Sequence, residues 1–385
     1  MPHMSGKKFT ILLLSVFFVT QLIRVVLVYF IDPIGIWGAP IIPGFNNYKF
    51  KQGAFLDVMK PYEYIREKPD ILYIGASQNY VGFRPADDAH PEKKVYTLGL
   101  SSLSFPDLRE YLRFVYKVHK PEVIYLGIRP AEFDKRGYAL NRNGFSKDRL
   151  EHLANLPFAC QWQGLMDSFS LQDTYYQTVK KSHNNPQATA FFDKGWDVTR
   201  GTAKEPDKNV YYQYIWAIAE QQQNLQLMPE ALDCFAEIVA EAHEAEVPLV
   251  VFFTPDSVDR LAMNHIMGNY PEIQRIKSSA AAITPIYDFN LVSSLTQNRQ
   301  KYYFDAGHFT AALGDRLKPM LSGTTPPEPY GYQLTPDTLN AAFAAEEAAW
   351  ETWQQENADY LTALADYIEQ GQAPVPGDLE KYIGF

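Results

Sequence analysis

The sequence predicts an α/β fold built on a parallel sheet, and three observations lead there. Short apolar runs at residues 71–74, 95–98, 123–128, 249–253 and 286–289 read as buried strands. Segments long enough for helices separate them. Turn residues stand at or near their carboxyl ends, as in Gly75, Gly99, Arg129-Pro130 and Thr254-Pro255. Strands alternating with helix-length segments mean crossover connections, and these give parallel pairing. In such sheets functional residues gather at the carboxyl ends of the strands.

Before the first strand, residues 9–31 are nearly all apolar. That length crosses a hydrocarbon core of about 30 Å as one helix. Lys7 and Lys8 precede it and Asp32-Pro33 follow. The excess of cations before the span places the N-terminus in the cytoplasm and the remaining chain outside. A cleaved signal peptide is the rival reading. The long apolar stretch, with no small-x-small site after Ile31, favours an uncleaved single-pass anchor. Arg24 lies inside the span; it either snorkels or faces a protein neighbour, or else contacts a membrane partner.

A stretch rich in Pro, Gly and Asn follows, from 32 to 53, and reads as a linker. After the second strand, Ser104 caps a helix with Pro106 in its first turn, and Leu108, Tyr111, Leu112, Val115 and Val118 carry helical spacing. A long insertion at about 134–227 is polar and aromatic, with Tyr175-Tyr176, Trp196, Tyr211-Tyr212 and Trp216. It serves either as a binding wall or as a solvent-facing helical cap. Near the end, residues 325–329 read as a linker, and Thr335-Pro336 opens a helix that Gly371 closes. Phe343, Trp350, Trp353, Tyr360, Leu364 and Tyr367 form an apolar stripe on it; such a stripe packs on its own chain or docks on another. The divisions are therefore 1–32 (cytoplasmic stub and anchor), 33–69 (linker and domain entry), 70–322 (α/β domain) and 323–385 (linker and helical tail).

The 385 residues carry a formal net charge of -10, which argues against nucleic acid as the main partner. Cys160 and Cys234 are the two cysteines. An exported location permits them to pair, and two buried free thiols are equally compatible with the sequence. No Cys/His spacing resembles a zinc site, and neither a metal nor a dissociable cofactor is expected.

The chemistry-bearing residues stand at the strand ends. Gly75-Ala-Ser77 follows the first strand, and Asp305-Ala-Gly-His308 lies near the end of the core. A serine hydroxyl is a poor nucleophile until a base takes its proton, and an imidazole does so when a carboxylate fixes its tautomer. Taken singly, Ser77 also suits a turn or helix cap, and Asp305 suits the cap of a helix beginning near Phe309.

These blocks, in this order, resemble the SGNH/GDSL hydrolase superfamily. The pattern of anchor, strand-GxS, strand-LGL, strand-LGI, strand-TP, YD and FDxxH is closer to its membrane-anchored DltD-like branch, found beside surface-polysaccharide O-acylation systems. The resemblance covers about residues 8–322. It implies a three-layer flavodoxin-like sheet, with Ser77 as nucleophile, His308 as base and Asp305 as its orienting carboxylate. It implies an oxyanion hole from the N–H groups of Ser77 and Gly99. Two blocks depart from the pattern. The first reads Gly-Ala-Ser and not Gly-Asp-Ser, and the third has Arg129 where the superfamily places an Asn. Arg129 either replaces that donor, binds an anionic substrate group or forms a structural ion pair. Gln78 and Asn79 are candidates for positioning substrate or for local turn bonds. The expected activity is acyl transfer, with acetyl the simplest group, to a cell-surface or secreted polysaccharide, with a multi-pass membrane O-acyltransferase as supplier. A deacylating esterase and a non-catalytic assembly protein are the alternatives.

Overall fold

The computed structural model describes residues 6–370 apart from 51, 87–90, 139–144, 156–163, 165–171, 189, 205, 207 and 326–329. Cys160, residues 326–329 of the expected linker and Gly371 lie outside the described residues. Among the described residues the strands are β1 (Ile71–Gly75), β2 (Val95–Gly99), β3 (Val123–Ile128), β4 (Phe192–Asp193), β5 (Trp196–Asp197), β6 (Leu249–Phe253), β7 (Ile286–Asp288), β8 (Tyr303–Asp305), β9 (His308–Phe309) and β10 (Tyr332–Leu334).

Six of them form one sheet in the order β10-β7-β6-β3-β1-β2. Its pairs are parallel except β10 with β7, which is antiparallel. The fold is therefore mixed α/β with a mainly parallel sheet. β1 and β2 are buried at every position. Helices cover both faces of such a sheet, so its strands read as unbroken apolar runs and not as alternating ones. β1 lies between β2 and β3 in register, with Gly75 opposite both Gly99 and Gly127. The chain leaves β1 to one side for β2 and returns to the other side for β3. In open α/β sheets the carboxyl ends at such a reversal are where ligands bind.

The chain divides into two compact units: residues 1–66 with 151–192, and residues 67–150 with 193–385. The first contains the apolar helix Gly6–Ile31, 26 residues or about 39 Å at 1.5 Å per residue, long and apolar enough to cross a membrane. The stretch read as a linker is tied down by polar bonds. Asn46 Nδ2 donates to the carbonyls of Phe30 and Pro40, at 2.8 and 2.9 Å. Asn47 Nδ2 donates to the carbonyls of Asn185 and Ala188, at 3.0 and 2.9 Å, and Tyr48 N donates to Ser182 Oγ at 2.8 Å. Part of the insertion thus packs with this segment.

The second unit holds the sheet. The helix Phe105–Val118 begins after Ser104 with proline in its first turn, and buries Phe105, Leu108, Tyr111, Leu112, Phe114 and Val115. The expected single tail helix is two, Leu339–Glu356 and Ala358–Gln370, separated at Asn357. β10 and a turn at Thr335–Thr338 precede them. The tail stripe packs on its own chain: Trp350, Trp353, Tyr360, Leu364 and Tyr367 join the core cluster containing Tyr211, Tyr212 and Leu261. Cys234 is a buried free thiol on the helix Pro229–Glu244.

Candidate functional site

The sharp exit from β1 presents Ser77. Gly75 has φ of 150°, a backbone region that L side chains avoid, and a Cβ there would collide with Gly127 O and Asn79 Nδ2. Ser77 begins the short helix Ser77–Gly82, whose cap is Ala76. On β2, a Cβ at Gly99 would lie 2.7 Å from Tyr80 N and 2.8 Å from Tyr80 Cβ. The absent side chain therefore lets this helix press onto the strand end. Gly99 thus has a packing reason to be glycine, independent of any ligand.

Asp305 and His308 are presented by a ribbon and not by a helix start. β8 and β9 pair antiparallel, with Asp305 opposite His308, and the next helix begins only at Ala311. Asp305 Oδ1 accepts the N–H groups of Gly307 and His308, both at 2.9 Å. These bonds fix the turn. Both carboxylate oxygens lie 2.8 Å from His308 Nδ1, and His308 Nε2 lies 2.7 Å from Ser77 Oγ. A carboxylate on Nδ1 selects the tautomer whose Nε2 lone pair faces the serine. Burial alone would raise the Asp305 carboxyl. The His308 charge and hydrogen bond, with the two backbone amides, instead hold it below the usual carboxylate range. The relay is enclosed: Asp305 is 3% exposed and His308 is 7% exposed.

Arg129 follows β3 at the same sheet edge. Its backbone N–H and Nε both meet Glu132, at 3.4 and 3.2 Å, so one edge of the guanidinium forms the structural ion pair. Burial pushes the Glu132 carboxyl up against that pairing.

Gln78 and Asn79, read from the sequence as candidates for positioning substrate, are fully buried. Asn79 Nδ2 donates to Gly127 O at 3.0 Å, a bond across to β3. Both amide ends of Gln78 lack a hydrogen-bond partner.

One residue was missed. Tyr214, on the helix Lys208–Gln221 within the insertion, sets its ring edge-on to His308 with centroids 5.4 Å apart. Its neighbours Tyr211, Tyr212 and Ile215 are wholly buried, so this part of the insertion belongs to the core. Helical phase places Tyr214 beside them, but no motif marks it out.

The site is defined by its hydrogen-bond chain. A surface hollow lined by Ser294, Gln297 and Asn298 includes none of its members. In comparisons with known proteins, no family model and no curated protein matches the chain. The geometry itself has a chemical capacity: a serine hydroxyl hydrogen-bonded to an imidazole that a carboxylate holds can lose its proton as the oxygen attacks a carbonyl.

Proposed function

We propose that the chain is a membrane-anchored SGNH-type serine acyltransferase or esterase of the DltD-like branch. The observation that carries this reading is the Ser77–His308–Asp305 chain, at 2.7 and 2.8 Å. The strand order supports it: β2-β1-β3-β6-β7 is the flavodoxin-like order, and Ser77 and Arg129 follow the two strands at its switch point.

In this mechanism Ser77 Oγ bonds to the carbonyl carbon of an acyl ester or thioester while His308 takes its proton. The oxyanion rests on the N–H groups of Ser77 and Gly99. Collapse breaks the bond to the donor's alkoxide or thiolate, which leaves with the proton from His308. A sugar hydroxyl then attacks the acyl-serine, again through His308, and frees Ser77. Water in place of the sugar makes the enzyme an esterase. The helix Gly6–Ile31 serves as a single-pass anchor with a cytoplasmic N-terminus, and the serine works outside the membrane. A multi-pass O-acyltransferase supplies the acyl group, acetyl in the simplest case, and the acceptor is a cell-surface or secreted polysaccharide.

The test is polysaccharide ester content in a deletion strain complemented with wild type or Ser77→Ala. A transferase predicts low acylation with Ser77→Ala, and an esterase predicts high acylation. Acylation equal to wild type would leave only a scaffolding role.

A further inference from the structure

Arg129 stands two residues past Gly127 as Ser77 stands two past Gly75, on strands paired in register, and Tyr214 packs on His308. Arg129 spends its Nε on Glu132, while among the described residues its Nη1 and Nη2 make no hydrogen bond, and the side chain is 13% exposed. Tyr214 is half-buried, and among the described residues its hydroxyl makes no hydrogen bond.

The phenol has a fixed seat. A Cβ at Gly307 would lie 2.8 Å from the Tyr214 oxygen, so the ring rests on the turn that carries His308. The Arg260 guanidinium stands 5.9 Å from the ring centroid. Burial raises the Tyr214 phenol, and the charges of Arg260 and Arg129 both act on it. Arg260 faces Asp256, with Nη1 2.9 Å from Oδ1, an ion-pair contact in which neither atom makes a hydrogen bond. Each carboxylate near the phenol is likewise engaged: Glu132 on Arg129, Asp256 on Arg260, and Asp305 on His308. Arg260 is sealed at 1% exposed, so the donors left for a ligand are one fork edge of Arg129 and the Tyr214 hydroxyl. A guanidinium fork matches the two oxygens of a carboxylate or phosphate, and a phenol O–H adds a third donor.

We propose that Arg129 and Tyr214 form an anion subsite beside Ser77, which takes a carboxylate or phosphate group carried by the saccharide. The acceptor is then an acidic sugar polymer and not a neutral one. The word acceptor rests on the acyl-serine reading; the anion subsite does not.

The experiment is calorimetric titration of the full-length protein in detergent micelles with inorganic phosphate, glucuronate and glucose at constant ionic strength. The expected result is binding of phosphate or glucuronate, the tighter one naming the group, with no binding of glucose at the same concentration. Arg129→Gln weakens that binding by about tenfold or more, the scale of a lost charge-assisted hydrogen bond. Tyr214→Phe weakens it by roughly threefold, at the low end for one neutral donor. It also removes a hydroxyl that supports no fold contact, so it carries the test if Arg129→Gln fails to fold. Equal affinity in wild type and both variants, or glucose binding as tightly as the anions, overturns the subsite. Anion binding that Arg129→Gln abolishes, in a protein whose Ser77 accepts no acyl group, would retain the subsite and remove the acyl-serine reading.

Discussion

Asn79 reaches back from the helix that begins at Ser77 and donates its Nδ2–H to the carbonyl of Gly127 on β3, 3.0 Å away. The bond ties the turn carrying Ser77 to the neighbouring strand in a fully buried site. It explains why the positions facing it, Gly75 and Gly127, carry no side chain.

Asn79→Ala therefore destabilises the fold by about 1–3 kcal/mol, the cost of stranding a buried carbonyl. It also loosens Ser77. Denaturant unfolding measures the first effect, and the rate of serine modification measures the second. Unchanged stability would show that the bond has no structural weight.

The tail is held by a second buried carboxylate. Asp259 accepts from Arg299 Nε and Nη2, at 2.6 and 2.7 Å, and from the hydroxyls of Tyr211 and, on the tail, Tyr360. Burial would raise this carboxyl, but Arg299 and the two phenols hold it below the usual range. Asp259→Asn leaves a nearly buried guanidinium without its counter-charge, and should cost about 3–5 kcal/mol. Tyr360→Phe should cost about 1–2 kcal/mol, since Arg299 still neutralises the carboxylate. Thermal unfolding ranks the two.

Glu346 on the tail and Asp288 on β7 share one buried cation, with Lys277 Nζ 3.0 Å from Glu346 Oε1 and 2.8 Å from Asp288 Oδ2. One ammonium cannot balance two carboxylates in a buried site. Burial pushes Glu346 up to about 7, against the pull of Lys277. A carboxyl raised in the folded state favours folding when protonated. Its contribution is full below the unfolded pKa, near 4.3, and is lost as pH rises through about 7. Glu346→Gln should therefore gain stability relative to wild type between pH 5 and pH 8. A melting-temperature difference that stays flat across that range would contradict this titration.

Burial pushes the Cys234 thiol up to about 11. In a Cys160→Ser background the folded protein should resist a maleimide for hours at neutral pH and react within minutes in denaturant. Fast native labelling would place Cys234 at the surface.

The strands were legible because burial on both faces turns them into unbroken apolar runs. Ser77, Asp305 and His308 were legible because their side-chain chemistry is distinctive and they sit near strand ends. Other features left weaker traces. The β8–β9 ribbon is too short for any period, so the same residues read as a helix start. Residues 32–53 read as a linker because Asn46 and Asn47 organise them through bonds to backbone carbonyls, which leave no periodic signal. Tyr214 stands on the flank of a helix whose visible phase is set by Tyr211 and Ile215. Its place beside His308 follows from a contact 94 positions away in the chain.

The most direct measurement is fluorophosphonate modification of the full-length protein in micelles, read by intact mass, for wild type, Ser77→Ala, His308→Ala and Asp305→Asn. One adduct on wild type, none on Ser77→Ala, and rates lower by orders of magnitude on His308→Ala and Asp305→Asn are the expected results. A folded wild-type protein that takes no adduct, or a Ser77→Ala variant that takes one as fast, would contradict an activated serine at this site.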